Sequence, residues 1–167
     1  FDPDWMFGIK DGFDVVIANP PYGADIDSQV EEYRKIYPAI IKNYADIYKL
    51  FFSLGIKIAK TSGLVTYISP NTYLAQPRYK DLRSFLIKYS IQQVINLGEG
   101  VFEGVVVPVC ISIIKKEPRV DSYLFADVTS NGRYIGSMDN FKLSKIKLDQ
   151  VLTTSDLSLL QKFPLKS

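Results

Sequence analysis

The order of apolar segments predicts an α/β fold built on a largely parallel sheet. Short runs of strand character at 13–18, 64–69 and 93–97 alternate with stretches of helical spacing at 44–60 and 79–89, and a strand–helix–strand rhythm is how parallel strands are joined. The run at 105–116 follows 93–97 across a turn punctuated by Gly98, Gly100 and Gly104. That turn has no room for a crossover helix, so the last pair is expected to be antiparallel.

Each element has a local reason. Residues 1–10, with Asp2, Asp4 and Trp5, read as a loop, and 13–18 as a short buried strand followed by a polar loop at 23–27. A helix is expected over 28–37, with Ser28 as cap, Glu31 as its capping-box partner and Pro38 as the interruption. In 44–60, Ile47, Leu50, Phe51, Leu54 and Ile58 can form one apolar stripe, and Ser62-Gly63 reads as the helix stop. Pro70-Asn71 closes the second strand, and Leu82, Phe85 and Leu86 point inward from the next helix. An extra strand is expected at 123–128, an irregular polar stretch at 131–149 and a short helix at 155–162.

Composition narrows the chemistry. The 167 residues suit one domain, and 47% hydrophobic with 13% aromatic content is globular. Twenty basic against 18 acidic residues leave no basic footprint over the whole chain. A nucleic-acid substrate would therefore be gripped by a local patch or by chain outside these residues. The absence of histidine excludes histidine bases and Ser-His-Asp triads within the chain. A single cysteine, Cys110, excludes an internal disulfide and a cysteine-rich zinc site; its apolar surroundings read as a buried strand, and no metal site is expected. No apolar stretch approaches the roughly 20 residues of a membrane span and no signal peptide is visible, so no membrane partner and a cytoplasmic location are expected.

The most informative feature is Asn19-Pro20-Pro21-Tyr22, directly after the strand 13–18. Proline fixes φ and lacks an N–H, so the turn keeps bare carbonyl oxygens. A residue before proline is pushed to an extended conformation, which keeps Asn19 and Pro20 out of a helix. Their carbonyls and the Asn19 side-chain oxygen can converge on a planar amino group, with Tyr22 flat against a ring.

This motif resembles the fourth motif of the amino-group DNA methyltransferases, and its Asn-Pro-Pro-Tyr form resembles the adenine-N6 enzymes. The context from Gly12 to Gly23 is similar to the large type IIG restriction–modification proteins. The Pro-Cys pair of the cytosine-C5 enzymes is absent. The resemblance implies a partial Rossmann-like fold of the S-adenosyl-L-methionine (AdoMet)-dependent methyltransferases, with its antiparallel last strand. Only the second half of that domain is expected here, at 1–147, with 148–167 as a linker toward a target-recognition domain. The family binds AdoMet through a Gly-rich loop; the glycines at 98–100 and 132–136 have the wrong surroundings for it, so that loop is expected upstream.

The resemblance also implies roles. Asn19 and Pro20 supply the two acceptors, completed by Pro21 and Tyr22 as the catalytic corner. Tyr22 stacks on one face of the flipped base. Phe102 matches the eighth motif as the second stacking partner, although a core role explains it equally. Asn19 and Asp46, the latter in a match to the fifth motif, border the cofactor pocket; Asp46 is alternatively a helix-start charge. Asp2 or Asp4 contacts the cofactor adenine, or either is a solvated loop carboxylate. Arg78, Lys80 and Arg83, with Tyr79, read either as a phosphate contact or as an exposed helix face. Expected partners are double-stranded DNA and other domains of the same polypeptide: the cofactor loop, a recognition domain and, in some such proteins, a nuclease. The competing readings are methylation of a protein glutamine amide or an RNA guanine amino group, and a non-catalytic DNA-contacting fragment; the segment is expected to be inactive alone.

Overall fold

The computed structural model describes residues 3–23, 26–42, 44–137 and 141–160. Its strands are β1 (Phe13–Ala18), β2 (Ala59–Pro70), β3 (Tyr89–Gly98), β4 (Val109–Pro118), β5 (Ser122–Asp127), β6 (Thr129–Ser130), β7 (Arg133–Tyr134) and β8 (Ser144–Lys147). Six of them form one sheet in the order β1-β2-β4-β3-β5-β8, and β6 and β7 make a small separate hairpin. β1 and β2 are parallel, β4 runs antiparallel between β2 and β3, β5 is parallel to β3, and β8 is antiparallel to β5. The carboxyl ends of β1, β2, β3 and β5 therefore share one edge, the side on which open α/β sheets bind ligands. The expected α/β architecture with a reversed strand is present.

The helices are α1 (Pro3–Phe7), α2 (Val30–Ile36), α3 (Ile47–Ile58), α4 (Lys80–Leu86) and α5 (Leu148–Leu152). The crossover from β1 to β2 contains α3, and that from β2 to β3 contains α4. The face α3 buries is not the expected aliphatic one. Tyr48, Phe52, Gly55 and Ile56 go in, while of the predicted stripe only Leu50 is buried. Aromatic area decides the rotation: Phe52 packs on Tyr67 and Tyr73 at 5.1 and 5.6 Å between ring centroids, and Tyr48 on Tyr73 and Tyr79 at 6.4 and 5.8 Å. Gly55 permits this, since a Cβ there would strike the Tyr67 ring and Val65.

Alternation along the central strands divides the core between two faces of the sheet. Val94, Cys110 and Phe125 join the large cluster beneath α3 and α4, while Ile95, Val109 and Ala126 belong to a smaller cluster with Leu97 and Val128. Cys110 is completely buried, and burial pushes its thiol up to about 12. Leu148 and Val151 of α5, with Leu159 beyond it, close the large cluster.

Several local expectations change. Residues Pro3–Phe7 are helical rather than loop. α2 forms, but its cap is Gln29 without a side-chain cap bond, so the Ser28–Glu31 capping box is not made; a 3-10 turn at Asp27–Gln29 occupies that position instead. α3 stops at Ile58, ahead of Ser62-Gly63, because β2 already begins at Ala59, where it pairs with Phe13. β4 starts at Val109, leaving Val105, Val106 and Val107 in an exposed loop ahead of Pro108. The stretch 131–149 contains β7 and β8; the late helix is α5, the described residues 155–160 are not helical, and the rest of the expected helix, 161–162, lies outside the described residues. Among the described residues no helix is long and apolar enough to cross a membrane.

Candidate active site

β1 delivers Asn19-Pro20-Pro21-Tyr22 to the carboxyl edge of the sheet. Asn19 and Pro21 are exposed, Pro20 is buried and Tyr22 is half-buried. Burying the ring of Pro20 anchors the turn and leaves Asn19 open to solvent. Tyr22 packs against both hydrophobic clusters, at the seam between the two faces of the sheet.

Phe102 lies in the loop 99–108 between β3 and β4, half-buried against the same smaller cluster that Tyr22 contacts. Two aromatic side chains far apart in sequence are thus supported by one apolar floor. The start of the loop is clasped by the β6–β7 hairpin: Glu99 N–H donates to Gly132 O (2.9 Å) and Tyr134 N–H to Glu99 O (2.8 Å). Gly98 makes the approach possible; its φ of +69° is left-handed, and a Cβ would collide with the Gly132 carbonyl and Thr129.

Asp46 immediately precedes α3 and is only 8% exposed. Its side chain caps no backbone N–H. Tyr79 Oη donates to Oδ2 at 3.3 Å, while Oδ1 is buried without a hydrogen-bond partner. Loss of solvent around the carboxylate, opposed by the Tyr79 hydroxyl, raises its pKa above the ordinary aspartate value. Asp4 sits on α1, exposed, and Asp2 lies outside the described residues.

Sequence reasoning missed the polar anchor beside Asp46. Lys49 Nζ, fully buried, contacts both Asp81 carboxylate oxygens at 2.8 Å and Tyr44 O at 2.6 Å. Asp81 also accepts from the backbone N–H of Lys42 (3.0 Å) and Leu82 (2.8 Å). The predicted basic cluster is split. Arg78 stays outside, stacked 4.6 Å from the Tyr44 ring centroid and 5.1 Å from that of Tyr79. Arg83 is completely buried, donating to Tyr73 O, Gln76 O and Asp156 O at 2.6, 2.8 and 2.8 Å, so it staples the fold and does not face solvent or phosphate. The available sequence signal was Lys49 and Arg83 standing within otherwise apolar helical faces.

A family model described as Eco57I restriction-modification methylase matches residues 2–102. A putative type II restriction enzyme and methyltransferase of Methanocaldococcus jannaschii, RM.MjaORFECS2P, is 34% identical over 65% of this chain and 9% of its own length. The type II restriction enzyme and methyltransferase RM.Eco57I of Escherichia coli is 30% identical over 79% of this chain and 14% of its own. This chain thus spans only a small part of either relative. Among solved structures, the type IIG restriction endonuclease BpuSI has the same fold, with a TM-score of 0.69 at 19% identity over 87% of this chain and 20% of that one.

Proposed function

The chain belongs to the Eco57I restriction-modification methylase family, and from that premise we propose that it carries the target-base half of a methyltransferase acting on the N6 amino group of adenine in DNA. The observation that carries the reading is the exposed Asn19 on a proline-anchored turn at the carboxyl edge of the sheet. The amine of adenine is a poor nucleophile because its lone pair is delocalised into the ring. The Asn19 side-chain oxygen and the Pro20 carbonyl accept from its two hydrogens and favour a pyramidal nitrogen with a localised lone pair. As positive charge builds on that nitrogen, the same fixed dipoles stabilise it. The pyrrolidine rings of Pro20 and Pro21 hold the acceptors without local rearrangement, and most of the remaining acceleration comes from positioning.

The base must leave the duplex to reach this turn. Tyr22 stacks on one face and Phe102 closes the other; their common apolar floor supports that pairing. The fold is that of AdoMet-dependent methyltransferases, and AdoMet when bound supplies the electrophilic methyl group. The residues present fit it: immediately ahead of α3, Asp46 offers a buried carboxylate oxygen, Oδ1, with no hydrogen-bond partner. Asp4 and Asp2 remain the acidic candidates for the cofactor adenine.

The Gly-rich cofactor loop belongs to a segment outside this chain. Support comes from β1, which among the described residues pairs on one side only and leaves Val15 48% and Ile17 75% exposed. The segment alone is accordingly inactive, and the recognition domain lies beyond the core-packed Leu148, Val151 and Leu159. In the intact polypeptide, the test is transfer of labelled methyl from AdoMet to unmethylated duplex DNA, to RNA and to a glutamine-containing peptide offered in parallel, with nucleoside and peptide analysis of the products. N6-methyladenine, lost in Asn19→Ala, is expected; label on cytosine, on guanine of RNA or only on a glutamine peptide would reject the reading.

A further inference from the structure

The loop bearing Phe102 is held at both ends by one residue that lies outside the catalytic corner. Asn71 follows the last residue of β2, and its backbone N–H donates to Pro108 O at 2.9 Å, at the exit of the loop. Its side chain Nδ2 donates to Asn96 Oδ1 at 2.8 Å, at the carboxyl end of β3 just ahead of the loop. Asn96 Nδ2 donates in turn to Asp127 Oδ2 at 3.2 Å, and Asp127 Oδ1 accepts the Thr129 N–H at 3.1 Å. The rail therefore runs across the ends of β2, β3 and β5, and finishes at the hairpin that clasps Glu99.

The direction of the rail is set by its far end. A carboxylate only accepts, so Asn96 must turn its NH₂ toward Asp127 and its carbonyl toward Asn71. Asn71 must then present its own NH₂. A single charge thus fixes the orientation of two amide side chains, the nearer of which is only 9% exposed.

We propose that Asn71 is a positioning residue for target-base binding: through the rail to Asn96 and Asp127 it holds both ends of the 98–108 loop and so sets the height of Phe102 above the flipped base. This rests on the function proposed above. It extends it to a residue that touches neither base nor cofactor.

The experiment compares three forms of the full-length polypeptide: wild type, Asn71→Asp, and the exchange variant Asn71→Asp/Asp127→Asn. In Asn71→Asp one junction of the rail faces acceptor to acceptor, whichever way Asn96 turns. In the exchange variant the donors simply run the other way, with every junction restored. The assays are KM and kcat on unmethylated phage DNA, AdoMet affinity by calorimetry, and amide hydrogen exchange of residues 98–108. Loss of one base–aromatic stack weakens binding by roughly five- to a hundredfold, so Asn71→Asp, which misplaces Phe102 without removing it, should raise the DNA KM within that range, with AdoMet affinity unchanged and faster exchange confined to 98–108. The exchange variant should recover most of both losses. Wild-type KM in Asn71→Asp, no recovery in the exchange variant, or parallel loss of AdoMet affinity would each overturn the proposal. If the wild type methylates no DNA, the function proposed above fails instead, while hydrogen exchange in 98–108 still decides whether the rail holds the loop.

Discussion

Two polar regions lie toward the same edge of this sheet and solve opposite problems. At the Asn19–Tyr22 corner the asparagine is exposed and the anchoring is done by a buried proline and a half-buried tyrosine. At the head of α3 the polar atoms are sealed: Lys49 and Asp81 have side chains 0% and 2% exposed and satisfy one another. The corner leaves its asparagine open to solvent and buries no charge. The α3 anchor buries two charges and ties the first turn of the helix that follows Asp46 to Asp81 of α4. Access governs the first region and rigidity the second.

The comparison can be broken most directly at the anchor. Lys49→Met takes the cation away from buried Asp81, and removing one partner of a buried pair costs about 3–5 kcal/mol. Urea unfolding of the intact polypeptide should register that loss, and Lys49→Met/Asp81→Leu should recover most of it. A double variant that is stable yet inactive would give the anchor a role beyond rigidity. At the corner the expected pattern is reversed. Asn19→Ala should leave the unfolding midpoint unmoved, because the side chain is exposed, while methyl transfer falls by about a hundred- to a thousandfold, as for loss of one preorganised polar group. Retained turnover would remove Asn19 from the chemistry.

Phe102→Ala sharpens the contrast from the substrate side. Loss of one stacking partner should weaken DNA binding by about 1–3 kcal/mol, read by fluorescence titration with 2-aminopurine at the target position. If the variant loses stability and not affinity, Phe102 is a core residue. The smallest effect is expected at Asp46. Its carboxyl is raised in the folded state by burial, so its contribution to stability is fully present below the ordinary aspartate pKa and is lost as pH rises through the raised folded value. Asp46→Asn keeps an acceptor for Tyr79 Oη and should be slightly more stable than wild type near neutrality, the difference shrinking in acid. An unchanged difference across that range would show that Asp46 ionises as freely as an unfolded aspartate.

How much of this was legible in the sequence depends on the kind of interaction. The strand before Asn19, the two crossover helices and the reversed β4 follow from local pattern, and so does the corner, since proline acts on its own backbone and its neighbour's. The inward face of α3 was misjudged because spacing alone does not weigh Tyr48 and Phe52 against Ile47 and Leu54; the aromatic partners Tyr67, Tyr73 and Tyr79 come from β2 and the turns after it. The strand β8 hid in a polar stretch because only Ile146 of its residues is buried. Lys49–Asp81 and the Asn71–Asn96–Asp127 rail each join residues 25 or more positions apart, and no local rule announces such pairs. The exposed loop at 105–107 looked like strand because three valines favour one; no strand partner takes them up, and the ladder begins only after Pro108.

The placement of β4 has a consequence for how the molecule assembles. β2 and β3 precede it in the chain, yet they do not pair with each other in the finished sheet; each pairs with β4. A growing polypeptide therefore cannot zip its sheet from one end, and the gap between its middle strands waits for a late insertion of non-local contacts, the slow kind. Chains halted before Val109 should show no cooperative thermal transition, whereas chains reaching the end of α5 should; equal cooperativity in both would mean the early strands find a different, non-native neighbour while they wait.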